Sequence, residues 1–195
     1  MDRTAAMKAF FDQRAATWDQ TCRHDPHKIA ALVTLAQVSA GKRVLDIACG
    51  TGVLTPELLS RNPQCVLGVD LSSEMIARAK QKCQDDRAVF EAVDLFALQP
   101  QTFDVAILYS AYPHFPDKPA LAAQTASLLA AGGRFLVAHS ESRQTINARH
   151  HNLPRQDLSY ALQPVSDEAA VWGRWFTVDM TADTDELYFF SGVKR

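Results

Sequence analysis

Short apolar runs and longer amphipathic stretches alternate along this chain, and the period of the pattern changes near Lys42. Before that point apolar positions recur at helical spacing. Residues 4–21, carrying Phe10, Phe11 and Trp18, read as one amphipathic helix; residues 26–39 read as a second, opened by Asp25 as N-cap with Pro26 in its first turn. From Lys42 onward, runs of strand length alternate with helical stretches, the pattern of a parallel sheet covered on both faces. The spacing predicts strands over 43–48, 65–69, 88–93, 103–109 and 133–139, with helices over 53–60, 72–83 and 116–130. The terminal stretch WFTVDMTADTDELYFFSGVKR holds two apolar runs joined by an acidic connection, which predicts an antiparallel hairpin. The expected fold class is therefore α/β: a doubly wound sheet of about seven strands, mostly parallel, with a C-terminal antiparallel hairpin and helices on both faces.

A chain of 195 residues that is 47% apolar can bury a substantial core and is the size of one domain. Its 20 basic and 22 acidic residues leave a formal charge of -2, which provides no general attraction to nucleic acid or anionic lipid. No apolar run reaches signal-peptide or membrane-span length, so a soluble cytoplasmic protein is expected, without a membrane or nucleic-acid partner. Cys22, Cys49, Cys65 and Cys83 form no C-x-x-C pair, consistent with reduced thiols. Either a monomer or a homodimer is compatible with this sequence.

The chemistry begins at RVLDIACGTGVLTPELL, residues 43–59. A buried strand, a tight glycine turn and a helix together bring backbone N–H groups close to a ligand. The pattern at Gly50 and Gly52 is G-x-G-x-x-T, with Thr55 where a dinucleotide fingerprint has its third glycine. Asp46, four residues before Gly50, would repel a pyrophosphate but suit an ammonium group, which disfavours a nicotinamide cofactor. Asp70 ends the second strand twenty residues after Gly50, where a carboxylate can accept both hydroxyls of a ribose. Asp94 ends the third strand, near the expected position of an adenine amino group.

In this order, VLDIACGTG, VLGVDLSSEMI, AVDLF, FDVAILYSAYPHF and LLAAGGRFLVAHS resemble a class I S-adenosylmethionine-dependent methyltransferase of the small-molecule type, which has a Rossmann-like fold. The resemblance covers about residues 42–140 and implies S-adenosylmethionine as methyl donor, with S-adenosylhomocysteine as product. Asp46, Gly50 and Gly52 would hold the methionine side; Asp70 would take the ribose. Leu71 would pack on the adenine with help from Met75, and Asp94 and Leu95 would meet the adenine amino group and edge. Ala48, Cys49 and Thr51 would contribute mainly backbone, Cys49 being a packing residue rather than a nucleophile. Tyr109 would also reach the cofactor. Trp18, with Asp19 and His24, would belong to an N-terminal lid. On this reading the single domain of residues 1–195 divides into a helical lid (1–40), a cofactor-binding core (41–140), and a substrate-side helix with the hairpin (141–195).

The YSAYPHF stretch, residues 109–115, lacks the [DNS]-P-P-[YFW] clamp that presents an exocyclic amine or glutamine amide, so a small polar acceptor is expected. Candidate catalytic groups are His139 as base, then His114, Tyr109 and His150. Residues 141–151 predict a helix on which Arg143, Asn147 and one of His150 and His151 share a face. Three readings of this histidine-rich stretch stand open: capping or solvent-facing side chains, a general base with arginine-assisted acceptor binding, or a divalent metal site. The candidate metal ligands are His139, His150, His151 and Glu141, with His114 in the wider cluster. The alternatives to a simple methyltransferase are accordingly a metal-assisted enzyme, a metal-binding S-adenosylmethionine protein, or a cofactor-binding regulatory subunit without catalysis.

Overall fold

The computed structural model describes residues 3–99, 101–152 and 155–195. Seven strands form one sheet in the order β3-β2-β1-β4-β5-β7-β6. They are β1 (Arg43–Ile47), β2 (Cys65–Asp70), β3 (Ala88–Ala92), β4 (Phe103–Tyr109), β5 (Leu129–His139), β6 (Phe176–Asp183) and β7 (Tyr188–Lys194). The first five are parallel neighbours, and β7 runs antiparallel to both β5 and β6. The predicted hairpin is present. Its second strand is inserted beside β5, which leaves β6 at the edge, an order that periodicity could not foretell.

Eight α-helices surround the sheet among the described residues: α1 (Arg3–Asp12), α2 (Trp18–Thr21), α3 (Pro26–Leu35), α4 (Thr55–Ser60), α5 (Ser73–Lys82), α6 (Lys118–Leu128), α7 (Arg143–His151) and α8 (Val165–Trp172). The starts follow local side-chain chemistry. Asp25 accepts from the His27 N–H, Ser72 from Met75, Asp117 from Ala120 and Ser142 from Thr145. Each satisfies an otherwise orphaned first-turn donor.

Two expectations change. The helix expected over 4–21 is broken: α1 stops at Asp12, a 3-10 turn spans Ala15–Thr17, and α2 follows. A straight helix of that length would run roughly 27 Å. Instead, Asp12 is held by Ser72 Oγ and the Glu74 N–H, and the chain bends until Asp19 reaches Thr51 and Lys82. Long-range contacts here override a continuous helical pattern. The second change is α8, in a stretch where no helix was expected; its Trp172 is among the most deeply buried side chains.

The core lies on both faces. One face packs Leu45, Ile47, Phe135 and Val137 against α6, Ile146 of α7 and Trp172 of α8; the other packs Val44, Ile107 and Leu136 against α3 and α4. Alternation along β1 places Asp46 on the Val44 face. The strand order reverses between β1 and β4, so a crevice opens beyond the C-terminal ends of these strands.

Candidate active site

The loop after β1 carries three left-handed residues: Ala48 at φ 54°, Gly50 at 55° and Gly52 at 78°. For Gly52 space is also limiting, since a Cβ would lie 3.1 Å from Thr55 Oγ1 and 3.4 Å from Ala79 and Phe90. The loop is pinned from below by Asp70, whose Oδ2 accepts from the Gly50 N–H at 2.9 Å and whose Oδ1 accepts from the Ser72 N–H at 2.8 Å. Burial pushes this carboxyl upward while the two backbone donors pull it back. Cys49 is buried against Ile76, Ala79 and Phe90, and burial drives its thiol well above the ordinary range, fitting the packing role expected of it.

A cavity of about 230 Å³ opens over this loop at the strand ends. Ala48, Cys49, Gly50, Asp70, Leu71, Met75, Asp94 and Leu95 line it as the sequence led one to expect, with Tyr109, His114 and Trp18 opposite. The Trp18 indole comes within 4.0 Å of where a Gly50 Cβ would sit, so α2 acts as part of a roof. Asp94 also caps the following 3-10 turn, accepting from Phe96 N–H at 3.0 Å.

Three expected cofactor residues do not line this cavity. Thr51 and Gly52 face a second depression beside Ala79 and Lys82, and the Thr51 hydroxyl donates to Asp19. Asp46 lies beneath the loop, 2% exposed, with Oδ2 lacking any hydrogen-bond partner. Burial, reinforced by the nearby Asp70, pushes its carboxyl up to about 8. An orphaned acid under a glycine loop fits a site that awaits positive charge above it.

The histidines separate. Tyr112, held by Glu168 at 2.8 Å and by the Trp172 indole N–H at 3.2 Å, fixes the turn that carries His114. His114 Nδ1 lies 3.0 Å from the Leu158 carbonyl, so Nδ1 carries the proton and Nε2 the lone pair. Burial pulls this imidazole down to about 4. His150 packs beside it with ring centroids 5.2 Å apart, while His151 is exposed on the other side of α7. His139, the first-choice base, is 2% exposed and absent from the cavity lining; burial, then His150 and His114, pull it down to about 3. Its Nε2 and His150 Nδ1 have no hydrogen-bond partner.

The candidate metal ligands do not come together. Glu141 is paired with Arg149, and no group of three or more His, Cys, Asp or Glu among the described residues is arranged to hold an ion. Nor do the expected acceptor-binding side chains of α7 face the cavity. Arg143 Nε donates to Asp183 at 2.8 Å, and Asn147 brackets the Leu162 backbone through both amide atoms. They tie α7 to the C-terminal segments.

Tyr109 Oη donates to Ser140 Oγ at 2.7 Å and lies 2.9 Å from His24 Nδ1, joining the N-terminal segment to two strand ends. Arg3, Met7, Phe11, Phe96, Ser110 and Phe115 also line the cavity but were not identified from sequence. Phe11 had a signal, as an apolar position on the N-terminal helix; an arginine in a helix carries none.

Residues 44–133 match the family described as a methyltransferase domain. The chain is 30% identical over 134 residues to the 27-O-demethylrifamycin SV methyltransferase of Amycolatopsis mediterranei, covering 66% of this chain and 48% of the relative. It is 34% identical over 131 residues to the ubiquinone biosynthesis O-methyltransferase of Xanthomonas euvesicatoria, covering 62% and 54%. The chain thus spans about half the length of the curated relatives it matches. Among solved structures, a DhpI complex with SAH superposes with a TM-score of 0.77 at 21% identity, covering 98% and 96% of the two chains. The N-methyltransferase NodS of Bradyrhizobium japonicum, bound to S-adenosyl-L-homocysteine, superposes at 0.73 and 15% identity, covering 96% and 98%. Residues 44–133 therefore resemble a methyltransferase domain, within a chain whose sheet and helices have the class I S-adenosylmethionine-dependent methyltransferase fold.

Proposed function

We propose that this protein transfers the methyl group of S-adenosylmethionine to a small polar acceptor. The observation that carries the reading is the cavity at the strand ends, floored by the Gly50 loop and bordered by Asp70 and Asp94. One lone pair of the Asp70 carboxylate already holds the loop at Gly50 and another the Ser72 N–H, leaving others to accept ribose hydroxyls. Leu71 and Met75 offer an apolar face for the adenine, and the uncompensated Asp46 suits the methionine ammonium above the loop.

When bound, the sulfonium supplies an electrophilic methyl: its C–S bond breaks with the electron pair left on sulfur as the acceptor heteroatom forms the new bond. The chain's contribution is chiefly orientation and exclusion of water, which in-line displacement rewards. Trp18 and Phe11 roof the cavity, edge to face with centroids 5.6 Å apart. Of the candidate bases, His114 and Tyr109 line it; the depressed imidazole of His114 keeps Nε2 available for a proton at neutral pH. His150 packs against His114, while His139 is buried outside the cavity lining. The relatives whose printed names specify O-methylation agree with oxygen as the acceptor atom.

Asp70→Ala should weaken S-adenosylhomocysteine binding by about 1–3 kcal/mol, roughly five- to 150-fold, in calorimetric titration. Affinity unchanged from the parent protein would remove Asp70 from the site and with it the reading of the cavity.

A further inference from the structure

The cavity holds one charged group that the cofactor reading does not use. Arg3, at the start of α1, lines it together with Met7, Phe11 and His114. Its Nη1 donates to the Asp157 carbonyl, and its Cζ lies 4.9 Å from the centre of the Tyr160 ring. Nε and Nη2 are both buried and have no hydrogen-bond partner among the described residues. The neighbouring Asp157 carboxylate feels the Arg3 charge but spends both oxygens on hydrogen bonds to Arg155, so it gives Arg3 no described hydrogen bond.

A guanidinium cannot relieve burial by losing its proton, and unpartnered buried donors are costly. Two adjacent N–H groups of one guanidinium make a fork matched to a carboxylate. Its placement bears on which carboxylate. Asp157 O receives Arg3, and Leu158 O, the next carbonyl along the chain, receives His114. The cation and the candidate base are thus anchored to consecutive residues between α7 and α8. The glycine loop, Asp70 and Asp94 belong instead to the ends of β1, β2 and β3. Between cation and base lie apolar and aromatic side chains: Leu158 packs with Met7, and the Phe11 ring meets His114 edge to face at 5.1 Å.

We propose that Arg3 is the anion-binding residue for the methyl acceptor, which carries a carboxylate on a flat apolar body. This rests on the methyltransferase reading above and narrows its substrate class. The two unpartnered donors take the carboxylate, Met7 and Phe11 take the body, and the acceptor's nucleophilic atom faces His114.

The test uses benzoate and its neutral counterpart benzamide, titrated into the full chain both free and saturated with S-adenosylhomocysteine. Benzoate should bind about tenfold or more tightly than benzamide, as expected for a charge-assisted bidentate pair. Arg3→Gln should abolish that difference while leaving S-adenosylhomocysteine affinity and the thermal midpoint unchanged. Arg3→Lys, which keeps charge but not the fork, should retain part of it. The proposal is overturned if neither compound binds, if both bind equally, or if Arg3→Gln keeps the preference. A loss of S-adenosylhomocysteine affinity in Arg3→Gln would also overturn it, because Arg3 would then serve the cofactor. Failure of the parent protein to bind S-adenosylhomocysteine would count against the proposed function instead, and the titration of the free chain would still decide the role of Arg3.

Discussion

Asp46 shows how spacing in the sequence leaves open where a side chain lies. Its spacing from Gly50 marks it as a site acid, yet alternation along β1 turns it beneath the loop, where one oxygen has no partner. Burial raises its folded carboxyl to about 8 from an ordinary 3.8. The folded state therefore holds a proton that the unfolded state has released between those values. The stabilising contribution is fully present below about pH 4 and is lost as pH rises through about 8. Asp46→Asn, which mimics the protonated form, should raise the thermal midpoint of the cofactor-free protein at pH 8. The gain should shrink toward pH 5, changing by no more than about 1.4 kcal/mol per pH unit. A gain that does not depend on pH would show that Asp46 stays ionised throughout. The same variant should bind S-adenosylhomocysteine more weakly, separating the acid's cost to the fold from its service to the ligand.

At the scale of elements, the N-terminal segment is fastened to the cofactor core by two acids. Asp12 at the end of α1 receives Ser72 Oγ at 2.6 Å and the Glu74 N–H at 3.2 Å, both at the start of α5. Asp19 in α2 receives Thr51 from the glycine loop and Lys82 Nζ at 2.9 Å from the end of α5. Neither acid lines the cavity, so they act on the ligand only through the roof they hold. The double variant Asp12→Ala, Asp19→Ala should speed amide exchange in α1 and α2. It should also weaken S-adenosylhomocysteine binding by about three- to tenfold, in line with hydrogen bonds of about 0.5–1.5 kcal/mol each partly expressed in closure. Unaltered exchange would mean that the apolar contacts of Ala6, Met7 and Phe10 hold the lid unaided.

Across the whole molecule, the candidate site depends on an aromatic cluster built from distant parts of the chain. Trp172 stacks on Phe135 at 4.3 Å and packs against Phe176 and Phe190, while its indole N–H reaches Tyr112 beside the cavity turn. Trp172→Ala should cost about 3–5 kcal/mol. For a chain of this size that corresponds to a fall of roughly 6–20 °C in thermal midpoint. It should also loosen the His114 turn, lowering turnover more than cofactor affinity at temperatures where the variant is folded. A loss below about 1 kcal/mol would place the stability of this half of the sheet elsewhere. Among the described residues, no helix is long and apolar enough to cross a membrane.

What the sequence alone determined is what local rules govern. Four of the five parallel strands, β1, β2, β4 and β5, announce themselves because they are largely buried and so read as apolar runs, while β3 buries only Phe90 of its five residues. Three helix starts announce themselves through Asp25, Ser72 and Asp117, because capping acts within a few residues. The cavity-lining positions of Gly50, Asp70, Leu71 and Asp94 were legible for the same reason: strand-end position is a local property in a parallel sheet. Only the tertiary structure decided the rest. Periodicity cannot say that β7 inserts beside β5, that the first helix breaks to bring Trp18 over Gly50, or that α8 forms at all. Nor does composition distinguish the histidines. His114 reaches the cavity, His139 is sealed behind it and His151 faces outward, because burial and the partner at each ring depend on segments far apart in the chain. Arg3 had no signal at all, since its unpartnered donors arise only where α1 meets the residues after α7.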